Sequence, residues 1–328
     1  MTSNRSLRVG PVAVAVGLVL SVAGGCGSTP PTLPSPQIGL GYLNSIITTM
    51  QNNSVNRLKI DWAAFRAQVI ATTPNAATVP EIYPAITVAL GLLDDHHSSY
   101  RRADGAYLTN PRFPTDCAVT AVTVSGMPPD IGYVKVDAFG GADGATFAAQ
   151  IQQRIREQDS DLIAGWIVDV RRNGGGNMWP MIAGIGPILG VGTAGAFVPP
   201  VGARTSWGYD DRGSISGTSV VQSVTAAYTL RRPSPRVVVL TDKGVASSGE
   251  AVVVAFRARP DTRSFGTETC GVPTSNFPYT QIDGATLILT TALMADRTSQ
   301  TYASPIVPDE QITDPAALLA RAIDWIRR

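Results

Sequence analysis

Three short stretches hold residues whose types and spacing could do chemistry. The first is Asp242-Lys243-Gly244-Val245-Ala246-Ser247-Ser248-Gly249-Glu250, which follows the apolar run Arg236 to Thr241 and leads into a helical pattern. A serine at a strand-to-helix turn sits in the positive field of the helix N-terminus, which favours an alkoxide-like nucleophile and an oxyanion beside it. Ser247 with Glu250 three residues on is equally the pattern of a capping box. The second stretch is Asp95-His96-His97-Ser98, which holds the only two histidines of the chain. A serine nucleophile needs a base that titrates near neutrality, so a histidine base must come from this pair. The lysines are Lys59, Lys135 and Lys243, and none follows Lys243, so a lysine base is disfavoured. The third stretch is Asp169-Val170-Arg171-Arg172-Asn173-Gly174-Gly175-Gly176. Its glycines permit close backbone approach and peptide N–H groups aimed at one anionic atom, although a plain turn has the same composition.

These residues must be positioned by a folded frame, and the sequence indicates which one. The chain has 328 residues, 44% hydrophobic and 16% charged, ample for a buried core. From Leu40 to about Leu93 apolar residues recur at helical spacing, with Asp61 as an N-cap and Pro80 and Pro84 opening a third helix. Beyond Thr109 strands alternate with helices. Ile131 to Val136, Ile163 to Val170, Arg236 to Thr241 and Leu287 to Ala292 read as strands; Asp143 to Gln158 and Ser248 to Arg257 read as helices. That alternation predicts an α/β fold with a parallel-rich sheet, preceded by a small helical bundle. The Gly-rich segment from about Gly190 to Arg232 reads as irregular, either a flap beside a groove or a surface excursion.

The N-terminus reads as an export signal. Arg5 and Arg8 precede the apolar run Val9 to Val22, then Ala23-Gly24-Gly25 and Cys26. The order resembles a bacterial lipoprotein signal, which implies cleavage before Cys26, lipidation of that cysteine and a location outside the cytoplasm. A signal peptide with a coincidental cysteine is the alternative. The division expected is a signal peptide over 1–25, a Pro/Ser/Thr-rich tether over 26–37, a helical subdomain over 38–105 and a core over 106–328. Cys117 and Cys270 form an even pair that an exported protein could bridge or leave as thiols. The net charge of +1 gives no sign of a nucleic-acid partner. Two histidines with so few cysteines make a weak metal site, and no metal or cofactor is expected.

Together the motifs resemble the tail-specific (C-terminal-processing) protease family, which includes the tricorn core and the repeats of the retinal retinoid-binding protein. Leu93 to Ser98 matches the family's Leu-x-Asp-x-His-Ser/Thr and selects His97 over His96. Asp169 to Gly176 matches Asp-Leu-Arg-x-Asn-x-Gly-Gly, with Val170 for Leu. Ser247 to Glu250 matches the nucleophile motif, Phe265 to Gly271 the following glycine turn, and Ile306 to Asp309 the closing Pro-Asp segment. The resemblance implies a ClpP/crotonase-like core and a serine-type peptidase. In it Ser247 attacks the scissile carbonyl, His97 is its base, and the N–H groups of Ser248 and of Gly175 or Gly176 bind the oxyanion. Glu250 is the first candidate to orient His97, and Asp309 the second. Only about 35 residues separate His97 from Tyr133, too few for a PDZ domain of roughly 50 residues. The implied partners are a peptide or protein substrate and, through the lipid anchor, a membrane. A catalytically idle binding lipoprotein on the same fold is the alternative; a crotonase-type acyl-CoA enzyme is disfavoured because CoA is cytoplasmic.

Overall fold

The computed structural model describes residues 38–112, 117–120, 124 and 126–328. The leader, Cys26 and the tether lie outside the described residues. The first elements are α1 (Ile38–Asn53), α2 (Trp62–Thr72), a 3-10 turn over Pro80–Ile82 and α3 (Tyr83–Leu92). Leu43, Ile46, Ile47 and Met50 line the buried face of α1, the three- and four-residue spacing that one helical face requires. Asp61 caps α2 by accepting from the N–H groups of Ala63 and Ala64. The helices do not enclose a core alone. They bury these side chains together with Tyr100, Leu287 and Leu289 from the strands that follow.

Those strands begin with β1 (Ser99–Arg101), β2 (Tyr107–Thr109) and β3 (Ile131–Lys135). Then come α4 (Gly144–Gln158), β4 (Gly165–Asp169), α5 (Met178–Leu189), β5 (Gly192–Val198), β6 (Thr205–Asp210), β7 (Gly213–Ser216) and β8 (Ser219–Ser223). The chain continues through β9 (Arg236–Thr241), α6 (Ser248–Phe256), β10 (Thr262–Gly266), β11 (Thr274–Thr280), β12 (Thr286–Asp296), β13 (Thr301–Tyr302), β14 (Glu310–Gln311) and α7 (Pro315–Arg327). Among the described residues five strands form a parallel sheet in the order β14-β10-β9-β4-β3. Every residue of β4 is buried, as its uninterrupted apolar run requires of a strand covered on both faces. Trp166, Val168, Val237 and Val239 pack under α4, α5 and α6 on one face. Ile167, Val238, Leu240 and Phe265 meet Leu318, Ala322 and Ile326 of α7 on the other. Each such side chain contributes about 1.5–3 kcal/mol by leaving water. The fold is mixed α/β, with an N-terminal helical region.

Among the described residues a second sheet of nine strands is antiparallel, ordered β2-β1-β12-β5-β6-β7-β8, with β11 and β13 also paired to β12. The segment read as irregular, 190–232, supplies β5 to β8 of this sheet. Its glycines mark close packing rather than loose chain: a Cβ on Gly195 would lie 2.3 Å from Cζ2 of the buried Trp207. The late strand is also longer than its apolar run, because β12 extends through Leu293 to Asp296 to pair with β5 and β13.

Candidate active site

The three motifs converge where the C-terminal ends of β4 and β9 meet the antiparallel sheet. The turn after β9 brings the chain from Thr241 to α6 in six residues, and Ser247 closes it at φ 53°, ψ −117°. A non-glycine residue there is strained and persists only where its surroundings enforce it. Three backbone bonds do so: Ala246 N–H to Asn173 O (2.9 Å), Cys270 N–H to Val245 O (2.8 Å) and Val245 N–H to Asp242 O (3.0 Å).

Glu250 adds a fourth restraint. Its carboxylate is fully buried and accepts from the Ser247 and Val272 N–H groups (both 2.9 Å), the Gly271 N–H (3.0 Å) and the Thr269 hydroxyl (2.5 Å). Burial pushes the Glu250 carboxyl up to about 7, against the opposing pull of those four donors. With its oxygens so engaged, Glu250 makes no hydrogen bond to His97. Asp309 is likewise engaged elsewhere, with Arg257 (2.9 Å) and with the Ser264 N–H and hydroxyl.

The glycine stretch packs directly on this turn. Gly175 adopts φ +103°, and a Cβ there would fall 2.8 Å from Ser247 Cβ and 2.9 Å from Ala246 O, so no other residue fits without displacing the turn. The Gly175 N–H donates to Asn173 Oδ1 (3.0 Å), and the Gly176 carbonyl accepts from Ser248 Oγ (2.6 Å). Of this stretch, Gly174 lines the cavity with Ser247. Of the two expected glycine donors, the Gly175 N–H is engaged within its own loop.

His97 enters from the opposite wall. Asp95, buried, accepts from the N–H groups of His97 (3.0 Å) and Ser98 (2.6 Å) and from the Ser98 hydroxyl (2.8 Å), fixing the chain after α3. The His97 carbonyl accepts from Asn276 Nδ2 (3.0 Å). Its Nδ1 pairs with Thr274 Oγ1 at 2.7 Å, leaving Nε2 for the cavity. Burial away from water pushes the His97 imidazole down to about 4, so the ring is neutral at pH 7. His96 is exposed and lines the same cavity of about 500 Å³ as His97 and Ser247.

Cys117 and Cys270 also line this cavity and are bonded to each other, with a Cα–Cα distance of 5.5 Å. Sequence reasoning missed Thr274. Thr274 is one of many threonines, with no motif around it; only the antiparallel pairing of β11 brings it 177 positions back to His97. Among the described residues no group of three or more His, Cys, Asp or Glu side chains could hold a metal ion, and no helix is long and apolar enough to cross a membrane.

The nisin-resistance protein of Lactococcus lactis subsp. lactis is 25% identical over 297 residues, covering 90% of this chain and 88% of that protein. A lipoprotein from Streptococcus agalactiae superposes with a TM-score of 0.68 at 21% identity, covering 92% of this chain and 99% of the other. The photosystem II D1 C-terminal processing protease superposes with a TM-score of 0.58 at 17% identity, covering 86% and 94%. These two structural likenesses establish the fold alone. The model of peptidase family S41 matches residues 130–312, the span that carries the parallel sheet, the glycine turn and Ser247. By fold, motifs and family match, the chain belongs to peptidase family S41.

Proposed function

We propose that this S41 chain is a serine peptidase working outside the cytoplasm, with Ser247 as nucleophile and His97 as base. The observation that carries the reading is the pairing in one cavity of a serine on a strained turn with a neutral imidazole whose far nitrogen is already engaged. With Nδ1–H donating to Thr274 Oγ1, Nε2 carries the lone pair that takes the Ser247 proton as Oγ attacks the scissile carbonyl. The N–H groups of Ser248 and of the 174–176 glycine stretch receive the negative charge that develops on the carbonyl oxygen. His97 returns the proton to the leaving amine, and water then hydrolyses the acyl-enzyme by the same route. Glu250 positions rather than reacts, holding the Ser247 backbone and the loop 269–272 in one register.

The export reading rests on the leader and Cys26, and a lipoprotein among the structural neighbours supports it. The Lactococcus relative is named for nisin resistance; we carry over to this chain only the expectation of a peptide substrate met outside the cytoplasm. The test is digestion of a defined peptide library by purified residues 27–328, followed by mass spectrometry. Discrete cleavage products that vanish with Ser247→Ala support the reading. Intact peptides with the wild-type protein, or products that persist in Ser247→Ala, overturn it and favour the idle binding protein.

A further inference from the structure

Arg172 stands at the mouth of the cavity that holds Ser247. It lines that cavity and also a smaller one, of about 200 Å³, at the ends of β4, β9 and β10. Its neighbour Arg171 is consumed in the fold, buried in a bidentate pair with Asp169 (2.9 and 2.6 Å). Arg172 differs in every respect. Its side chain is exposed, and its guanidinium has no hydrogen bond or ion pair among the described residues. Its backbone sits at φ 63°, a left-handed conformation that costs an L-residue roughly 1–2 kcal/mol. That conformation is enforced by Asp242, whose Oδ1 accepts from the N–H groups of both Arg172 and Gly244 (2.9 Å each). Asp242 Oδ1 is thus engaged with backbone, and Asp242 forms no ion pair with the Arg172 guanidinium among the described residues.

Among the described residues, those lining the Ser247 cavity include Arg172 and two imidazoles and no carboxylate. An exposed guanidinium without an ion-pair partner among the described residues is matched by an anion, and it fits a carboxylate with two parallel hydrogen bonds. Strain held in place beside a reaction centre points from backbone to use. We propose that Arg172 is a specificity-determining residue that binds a carboxylate of the peptide substrate close to the scissile bond. The carboxylate belongs either to the substrate's C-terminus or to an Asp or Glu side chain. The proposal rests on the peptidase reading above and names a substrate preference for that same site.

The test uses matched peptides cut by the wild-type protein. One pair differs only in a C-terminal carboxylate against an amide; the other differs only in Glu against Gln within a few residues of the cleaved bond. The expected result is a kcat/KM ratio of about three to ten in favour of the acid in one pair, the range of a partly exposed charge-assisted contact, shrinking as salt rises. In Arg172→Gln the ratio falls to one, and in Arg172→Glu it inverts. Titration of the same peptides onto Ser247→Ala repeats the discrimination as affinity, without turnover. A ratio that is unity in both pairs for the wild type, or that survives in Arg172→Gln, overturns the proposal while leaving the peptidase reading standing. Failure to cut any peptide, with Ser247→Ala still discriminating acid from amide in binding, overturns the peptidase reading and leaves the carboxylate site.

Discussion

Replacing Thr274 by Val removes one hydroxyl and nearly nothing else. The residue keeps its branched Cβ, its place opposite Leu293 in the β11–β12 pair and its N–H bond to Val272 O. What is lost is the 2.7 Å partner of His97 Nδ1. A neutral hydrogen bond of this kind is worth about 0.5–1.5 kcal/mol net, or roughly 2–12-fold in an equilibrium constant. Here that equilibrium is between the tautomer that leaves Nε2 free to accept a proton and the arrangements that do not. The hydroxyl carries no charge, so the change falls well short of the roughly 10⁴-fold loss seen when a triad carboxylate is replaced. The expectation is a fall in kcat of about tenfold with KM held, and recovery in Thr274→Ser. Steady-state kinetics on a fluorogenic peptide at pH 7.5 measures both, and imidazole nitrogen shifts of His97 report the tautomer directly. A change under twofold, or a Ser variant no better than Val, would refute the orienting role. A loss beyond a thousandfold would mean that Thr274 does more than hold the ring.

Glu250→Gln turns one acceptor oxygen into a donor facing two donors, so at pH 8 the urea midpoint should drop by an amount equivalent to about 2–6 kcal/mol; an unchanged midpoint would contradict the four-donor restraint. Because the Glu250 carboxyl rises from 4.5 unfolded to about 7 folded, its linkage term favours folding fully below pH 4.5 and is lost by pH 7, about 3 kcal/mol in all. The wild-type stability difference from Glu250→Gln should therefore vary with pH across that window, and a flat difference would show that the carboxyl is not perturbed. With His97 held down to about 4, kcat/KM on an uncharged peptide should stay level to about pH 5 and fall below it; a midpoint near 6.5 would place the base in water. Gly175→Ala should displace the Ser247 turn and abolish turnover while the protein still folds, read by activity beside circular dichroism; full activity would be incompatible with the 2.8 Å approach.

Much of this frame was legible in the sequence because local rules agreed with the fold. The run Arg236 to Thr241 had no polar interruption and is β9 residue for residue, and Asp61 caps the helix it precedes. The antiparallel sheet was not legible, because Gly195 and its neighbours read as loose chain until Trp207 is placed over them. Within the site, Ser247 and His97 stood out through motif and scarcity. Glu250 stood out as an acid, but a helix-start carboxylate three residues from a serine serves that serine's backbone more readily than a distant imidazole. The partner of His97 arose from a strand pairing across 177 positions, which no local pattern encodes.

The most direct test of the Ser247–His97 assignment is covalent labelling with a fluorophosphonate and intact-mass measurement. The account predicts one adduct on the wild-type protein, mapped by peptide digestion to Ser247, absent in Ser247→Ala and formed far more slowly in His97→Ala than in His96→Ala. Equal labelling of wild type and Ser247→Ala, or an adduct at any other residue, would contradict it.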